Sequence, residues 1–398
     1  MPYDPEALLR EAQSLLPEVV RLRRRIHRRP EIGLTLPHTQ GTIIEALGDL
    51  DLQITRGKQL SSVVAVLEGR SPGRTVLLRA DMDALKIRET TGLDYASEIE
   101  GAMHACGHDG HTAMLVGAAR LLAMHRDRIA GRVIFAFQPG EEGYAGARLM
   151  IDEGLLDRHG TPDGAFAIHI TPRHPSGEVF TRPGTLMAGA GVFRIIIKGR
   201  AGHPAEPHHA LDPIPIASEV VLALQTYVTR RVKAFEPAVV TVTAIQAGSP
   251  EVGAIPETAT LTGTIRAISE ETLDSLFKAV PELAMNIASA HGAEAEVRVD
   301  PGYPPVVNDP GVVEGVGEVS RGLLGKDHFR LLPTPIMPSE DFAYILQRVP
   351  GAMAFLGARP EGQGSVADVH SPHMILNEDA MAVGVGLHTA MALHLLAR

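Results

Sequence analysis

The chain carries one cysteine in 398 residues. A single thiol cannot close an internal disulfide, which excludes a disulfide-stapled scaffold and favours a reducing compartment. Positive charge is also in deficit, with 37 Lys and Arg against 47 Asp and Glu and a formal charge of -10. Phosphate binding needs a basic face, so no nucleic-acid partner is expected. The one basic cluster, Arg21-Leu22-Arg23-Arg24-Arg25, lies in a helical pattern and is expected on a solvated helix face. No apolar run approaches membrane-spanning length, and the N-terminus lacks the charged-then-apolar signature of a signal peptide. A cytoplasmic protein with no membrane partner is the expectation. Repeats and low-complexity tracts are missing too.

What is present is an ordinary globular composition, 44% apolar and 21% charged, over a length that exceeds one core. Two domains are therefore expected. In the first half, β-rich runs (Ser62–Glu68, Thr75–Ala80, Val133–Phe137, Ala165–Ile170) alternate with helical patterns (His111–Met124, Ala145–Glu153). That alternation predicts an α/β catalytic domain built on a mostly parallel sheet with helices on both faces. The middle reads β-α-β-β-α-β: Gly191–Gly199, Ile214–Arg231, Ala238–Ala244, Ala259–Arg266, Glu271–His291 and Ala293–Val299. This is the order of a ferredoxin-like module. An apolar helix, Met381–Leu396, follows it. The expected division is residues 1–185 and 302–398 in the catalytic domain, with 186–301 inserted.

The densest chemistry is Met103-His104-Ala105-Cys106-Gly107-His108-Asp109-Gly110-His111. Thiolate and imidazole on either side of a glycine turn can point at one cation, as catalytic transition-metal sites require. A buried structural cysteine is the competing reading. His104 and His111 fit residues that orient a ligand or start a helix. Gln138-Pro139-Gly140-Glu141-Glu142-Gly143 places two carboxylates on an irregular turn. One as metal ligand and one as proton carrier would relieve their repulsion; an acidic first helical turn is the alternative. Asp81 and Asp83 follow a buried strand, where they either cap the next loop or orient a ligand histidine. His169 sits in an apolar run, a ligand or an ordinary core histidine, and His370 lies near the far end of the chain, where a ligand closing the site would come from. The strand ends that carry these residues are where open α/β sheets gather their ligands.

In this order the pieces resemble the amidohydrolase branch of the dinuclear metallopeptidases, which includes aminoacylases, hippurate hydrolases and auxin-conjugate hydrolases. Carboxypeptidase G is a more distant relation. The likeness runs from His27…Pro30-Glu31 through Leu78–Leu85, the His104–His111 block, Gln138–Glu142, Ala167–His169, Gly199–Pro204, Ser339–Phe342 and Val349–Gly351 to His370-Ser371-Pro372. The resemblance implies Cys106, His108, Glu142, His169 and His370 as ligands of two divalent ions (manganese, zinc or cobalt). It implies Glu141 as general base and Asp83 as a supporting carboxylate. It casts His203 as an oxyanion donor reaching a neighbouring subunit, and the insert as a lid and dimerisation surface in a homodimer or homotetramer. Arg266, on an insert strand, is a candidate for holding the substrate carboxylate, or else a surface arginine. The implied reaction is hydrolysis of the amide of an N-acyl amino acid or short peptide. An aminopeptidase acting on free N-termini and a non-catalytic metal-dependent binding protein are the alternatives. Lys86, Ala254 and Pro338 depart from the family pattern where proline, asparagine and glycine are usual, which bears on substrate choice.

Overall fold

A computed structural model describes residues 3–250, 253–362 and 366–398. The chain divides into two compact units. The first comprises Met1–Leu186, Val307–Thr334 and Asp341–Arg398; the second comprises Met187–Val306 with Pro335–Glu340.

The first unit opens with helices α1 (Pro5–His27) and α2 (Pro37–Leu47), then strands β1 (Gln53–Arg56), β2 (Val63–Glu68) and β3 (Ser71–Asp81). Helix α3 (His108–Met124), β4 (Ala130–Gln138), α4 (Gly146–Asp152), β5 (Gly164–Pro175), β6 (Val179–Thr181) and β7 (Gly184–Met187) follow. The second unit contains β8 (Gly189–Lys198), α5 (Pro213–Arg231), β9 (Ala238–Ala247), β10 (Thr258–Ala267), α6 (Glu270–Ala290) and β11 (Glu294–Pro301). The chain then runs through β12 (Val306–Asn308), α7 (Pro310–Leu324), β13 (Phe329–Leu331), α8 (Ala343–Leu346), β14 (Gly351–Arg359) and α9 (Ala380–Leu396).

Helix starts repeat one local device. Asp4, Asp212 and Asp309 each stand before a proline at the first helical position, and each side chain accepts a hydrogen bond from a backbone N–H of the first turn. Proline has no N–H to leave unsatisfied there, and the aspartate satisfies one of those that remain.

In the first unit an eight-stranded sheet runs β1-β2-β4-β3-β5-β14-β6-β13. Its centre, β4-β3-β5-β14, is parallel throughout. Parallel strands are covered on both faces, so they read as continuous apolar runs; Val76, Leu77 and Leu78 of β3 are fully buried. Helices α3 and α9 pack on the sheet and on α1. Because the four central strands share a direction, their carboxyl ends fall along one edge. The loops after β3 and β4 start from that edge.

In the second unit β8, α5, β9, β10, α6 and β11 form a four-stranded antiparallel sheet, β11-β8-β10-β9, against which both helices pack. Burial in β10 alternates residue by residue, with Ala259, Leu261 and Ile265 facing the helices' core.

The basic cluster on α1 departs from expectation. Arg23 is buried, with its Nε 2.8 Å from Asp109 Oδ2 and its NH1 donating to the Tyr95 hydroxyl and to Glu378. A buried carboxylate at Asp109 supplies the partner that lets one guanidinium leave water while its neighbours stay at the surface.

Candidate metal centre

Four segments of the first unit bring their side chains together. The first is the turn into α3. Gly107 has φ 87°, and a Cβ there would lie 2.6 Å from Ile170 Cγ2. Glycine is required on both counts, and the left-handed turn separates Cys106 from His108, the first residue of α3. The second is the loop after β4. Gly140, φ 74°, brings the backbone against Leu34, where a Cβ would stand 2.5 Å from Cδ2. The N–H groups of Glu141 and Glu142 then donate to Asp83 Oδ1 (3.0 Å) and Oδ2 (3.1 Å). The third is β5, where the His169 Nδ1–H donates to the Ile170 carbonyl at 2.8 Å. That bond leaves Nε2 toward Cys106 Sγ, 3.5 Å away. The fourth is the loop at His370, a non-glycine residue with φ 65°. Its N–H donates to the carbonyl of Ala105 at 2.7 Å, and its Nε2 lies 3.2 Å from Glu142 Oε1. Left-handed backbone at a non-glycine residue costs about 1–3 kcal/mol and persists only where surrounding structure enforces it.

Candidate ligand atoms of Cys106, His108 and His169 lie within 4.8 Å of one another, as do those of Cys106, Glu142 and His370, and those of His108, Glu141 and Glu142. Sulfur, imidazole and carboxylate in overlapping groups form a donor set suited to two divalent transition metals. The electrostatics call for positive charge. Neither ring nitrogen of buried His108 has a hydrogen bond, although Asp83 Oδ1 stands 3.5 Å from Nδ1. Burial without partners is costly for such a group, and a cation relieves it. The Cys106 thiol and the Glu142 carboxylate beside His370 push its pKa up to about 10. Burial pushes the Cys106 thiol up. Both shifts favour the protonated side chains, and a metal ion bound here would have to displace those protons.

Behind this cluster lies a charged layer. Burial would push the Asp81 carboxyl up, but Arg79, His108 and His111 outweigh it and hold it well below the usual carboxylate range. Asp81 Oδ1 is 2.5 Å from His111 Nδ1, while His111 Nε2 accepts from the Ile170 N–H at 2.7 Å. Asp81 thus meets His111, which is not among the expected ligands, and Asp83 holds the Glu141–Glu142 turn, which follows β4 and is not the loop after its own strand. Arg79 bridges Asp81 (2.6 Å), Gln138 (2.8 Å) and Asp341 (3.0 Å). Gln138 and the Ala147 N–H also donate to Asp341. These links tie the ends of β3 and β4 to α4.

Comparison with known proteins supplies the family. The family model described as "Peptidase family M20/M25/M40" matches residues 77–394. The chain belongs to peptidase family M20/M25/M40. The IAA-amino acid hydrolase ILR1-like 2 of Arabidopsis thaliana is 38% identical over 397 residues, 98% of this chain and 88% of that protein. The N-acetyl-L-cysteine deacetylase of Bacillus subtilis is 36% identical over 369 residues, 92% of this chain and 86% of that one. Among solved structures, the YXEP protein of Bacillus subtilis, a dinuclear metal-binding peptidase from the M20 family, is similar with a TM-score of 0.81 and 32% identity. The match covers 96% of this chain and 99% of that one. The M20/M25/M40 chain is thus a hydrolase with a mixed α/β catalytic fold and an inserted antiparallel module, and its resemblance to the amidohydrolase branch holds.

Sequence reasoning named Asp83, Cys106, His108, Glu141, Glu142, His169 and His370, and all seven lie in the cluster just described. His169 does not end its strand, as the apolar run suggested; β5 continues to Pro175 and pairs His169 with Phe355 of β14. His203 and Arg266 belong to the second unit. His203 is exposed, its Nδ1 accepting from the Ala205 N–H at 3.2 Å. Arg266 is half-buried and donates to Ser339 Oγ at 2.9 Å. Arg79 and Asp341 went unnoticed in the sequence as a pair, because a separation of 262 positions hides the contact. Two charged residues, Arg79 and Asp81, inside an apolar strand are the signal that could have found it. Among the described residues no helix is long and apolar enough to cross a membrane.

Proposed function

We propose that this hydrolase cleaves the amide bond of N-acyl amino acids, with Cys106, His108, Glu142, His169 and His370 holding two divalent ions. The observation that carries the reading is the pair of unbonded ring nitrogens on buried His108, set among a thiol, two histidines and a carboxylate. The similarity to an N-acetyl-L-cysteine deacetylase and an IAA-amino acid hydrolase supports an acylated amino acid as substrate. Manganese, zinc and cobalt all suit the donors.

Such ions, when bound, lower the pKa of water and polarise a carbonyl. The chain's own residues then divide the remaining work. Glu141 takes a proton from the attacking water and delivers it to the leaving amine nitrogen. Asp83 keeps the Glu141 and Glu142 backbones in place through its two accepted hydrogen bonds. His203, supplied by a second copy of the chain in a homodimer or homotetramer, donates to the oxyanion; one such donor is worth about 10²–10³ in rate. Arg266 holds the substrate carboxylate. The second unit serves as the lid and the dimerisation surface, and the enzyme works in the cytoplasm.

Metal-stripped protein is to be tested on N-acetyl, N-benzoyl and N-succinyl amino acids and on free dipeptides, with manganese, zinc or cobalt restored separately. Metal-dependent release of free amino acid from acylated substrates supports the reading. Cleavage confined to free dipeptides would make the enzyme an aminopeptidase, and inactivity on every substrate would leave a binding protein.

A further inference from the structure

The His27…Glu31 motif lies outside the proposed chemistry, yet its histidine is buried in the first unit between two carboxylates. His27 Nδ1 is 2.8 Å from Asp109 Oδ2, and its Nε2 is 3.4 Å from Glu89 Oε1. Both nitrogens are thus occupied by acceptors, the pattern of an imidazolium. Burial alone would push its pKa down, but Asp109 and Glu89 outweigh that and raise it. Each carboxylate belongs to a segment next to a candidate ligand. Asp109 follows His108 in the first turn of α3. Glu89 is fixed by the Ser97 N–H at 2.7 Å, and the adjoining Thr90 N–H donates to the Pro372 carbonyl at 2.9 Å. Thr90 Oγ1 also meets His373 Nδ1 at 2.8 Å. Pro372 and His373 lie two and three residues past His370.

We propose that His27 is a positioning residue, a bridge between Asp109 and Glu89 that fixes the Cys106–His108 turn relative to the His370 loop. The proposal rests on Cys106, His108 and His370 being metal ligands. His370 takes a left-handed backbone, so its place depends on anchors outside itself. One is its own N–H on Ala105. The other runs from Asp109 through His27 and Glu89 to Thr90 and Pro372. Arg23 shares Asp109 Oδ2 with His27 but donates to Tyr95 and Glu378 rather than to Glu89. The link from Asp109 to Glu89 is therefore carried by the imidazole. A side chain that reaches only one carboxylate would remove the second of these anchors, and the cations would meet ligands less well arranged.

The test measures manganese affinity by chelator competition, with stoichiometry by elemental analysis, in wild type, His27→Ala, His27→Gln and Glu89→Gln, and with Cys106→Ala as a reference. Loss of groups that orient ligands typically weakens metal binding by about 10–100-fold. The expected result is that loss in His27→Ala, a smaller loss in His27→Gln and Glu89→Gln, and full stoichiometry in all three at saturating manganese. The melting temperature of the metal-free protein is measured alongside. A general structural role would lower it in proportion to the loss of affinity, whereas a positioning role weakens affinity beyond that proportion. Should His27→Ala fail to fold, the two Gln variants decide. Wild-type affinity in the variants, with Cys106→Ala losing metal, overturns the proposal alone. Full metal content in Cys106→Ala overturns the ligand assignment beneath it.

Discussion

Replacing Gly107 by alanine separates two costs that meet at one residue. The first is conformational: at φ 87° an L-residue loses about 1–2 kcal/mol relative to its preferred backbone. The second is steric: the new Cβ would stand 2.6 Å from Ile170 Cγ2, inside a filled core. Forcing a methyl into such packing typically costs about 1–3 kcal/mol. Gly107→Ala should therefore destabilise the metal-free chain by about 2–5 kcal/mol. Gly101 is the built-in control, since its φ is 77° but a Cβ there meets nothing within 4 Å. Gly101→Ala should pay the first cost alone, about 1–2 kcal/mol. The assay is urea unfolding of both variants followed by far-ultraviolet circular dichroism, with metal content measured on the folded proteins. Gly107→Ala should also hold less metal, because its turn aims Cys106 and His108. Equal shifts in the two variants, with metal content unchanged in both, would refute the reasoning that the turn is fixed by close packing against β5.

Arg79→Met leaves Asp81 and Asp341 buried without their guanidinium, and should cost about 3–5 kcal/mol in the same unfolding assay. Glu378, held below its ordinary range partly by Arg24 and Arg23 against the opposing effect of burial, should contribute to acid sensitivity. Its folded-state pKa lies below the unfolded value of about 4.3, so its contribution is complete above that value and disappears as pH falls through the folded one. In Glu378→Gln the loss of melting temperature below about pH 4.3 should be shallower than in wild type. Saturating manganese should raise the melting temperature of wild type by mass action, and raise that of Cys106→Ala less at equal concentration.

Much of the architecture was legible in residue order. Strands β2 to β5 and β8 to β11, and helices α3, α5, α6 and α9, were readable from apolar periodicity, with ends displaced by a few residues. β14 was not, although it is a central strand and apolar up to its last residue, Arg359. Its sequence, Gly-Ala-Met-Ala-Phe-Leu-Gly-Ala-Arg, is rich in small residues with weak strand preference. Its place is settled by parallel pairing with β5, a tertiary constraint. The seven candidate site residues of the first unit were named through the family resemblance; types and spacing by themselves pointed to the Cys106–His108 turn and left the Glu141–Glu142 pair, Asp83 and His169 open. What supports them did not stand out. Arg23 looked like one of several surface arginines, and its burial depends on Asp109, 86 residues away. Buried ion pairs formed across such separations leave no local pattern, whereas turns built on Gly107 and Gly140 do.

The proposed chemistry depends on Glu141 carrying protons while its neighbours hold the cations. Its most direct measurement is the metal content and turnover of Glu141→Gln against wild type, on whichever N-acyl amino acid the substrate screen selects. The expected result is wild-type metal stoichiometry with turnover reduced by about 10²–10⁴-fold. Wild-type turnover in that variant, or loss of its metal, would contradict it.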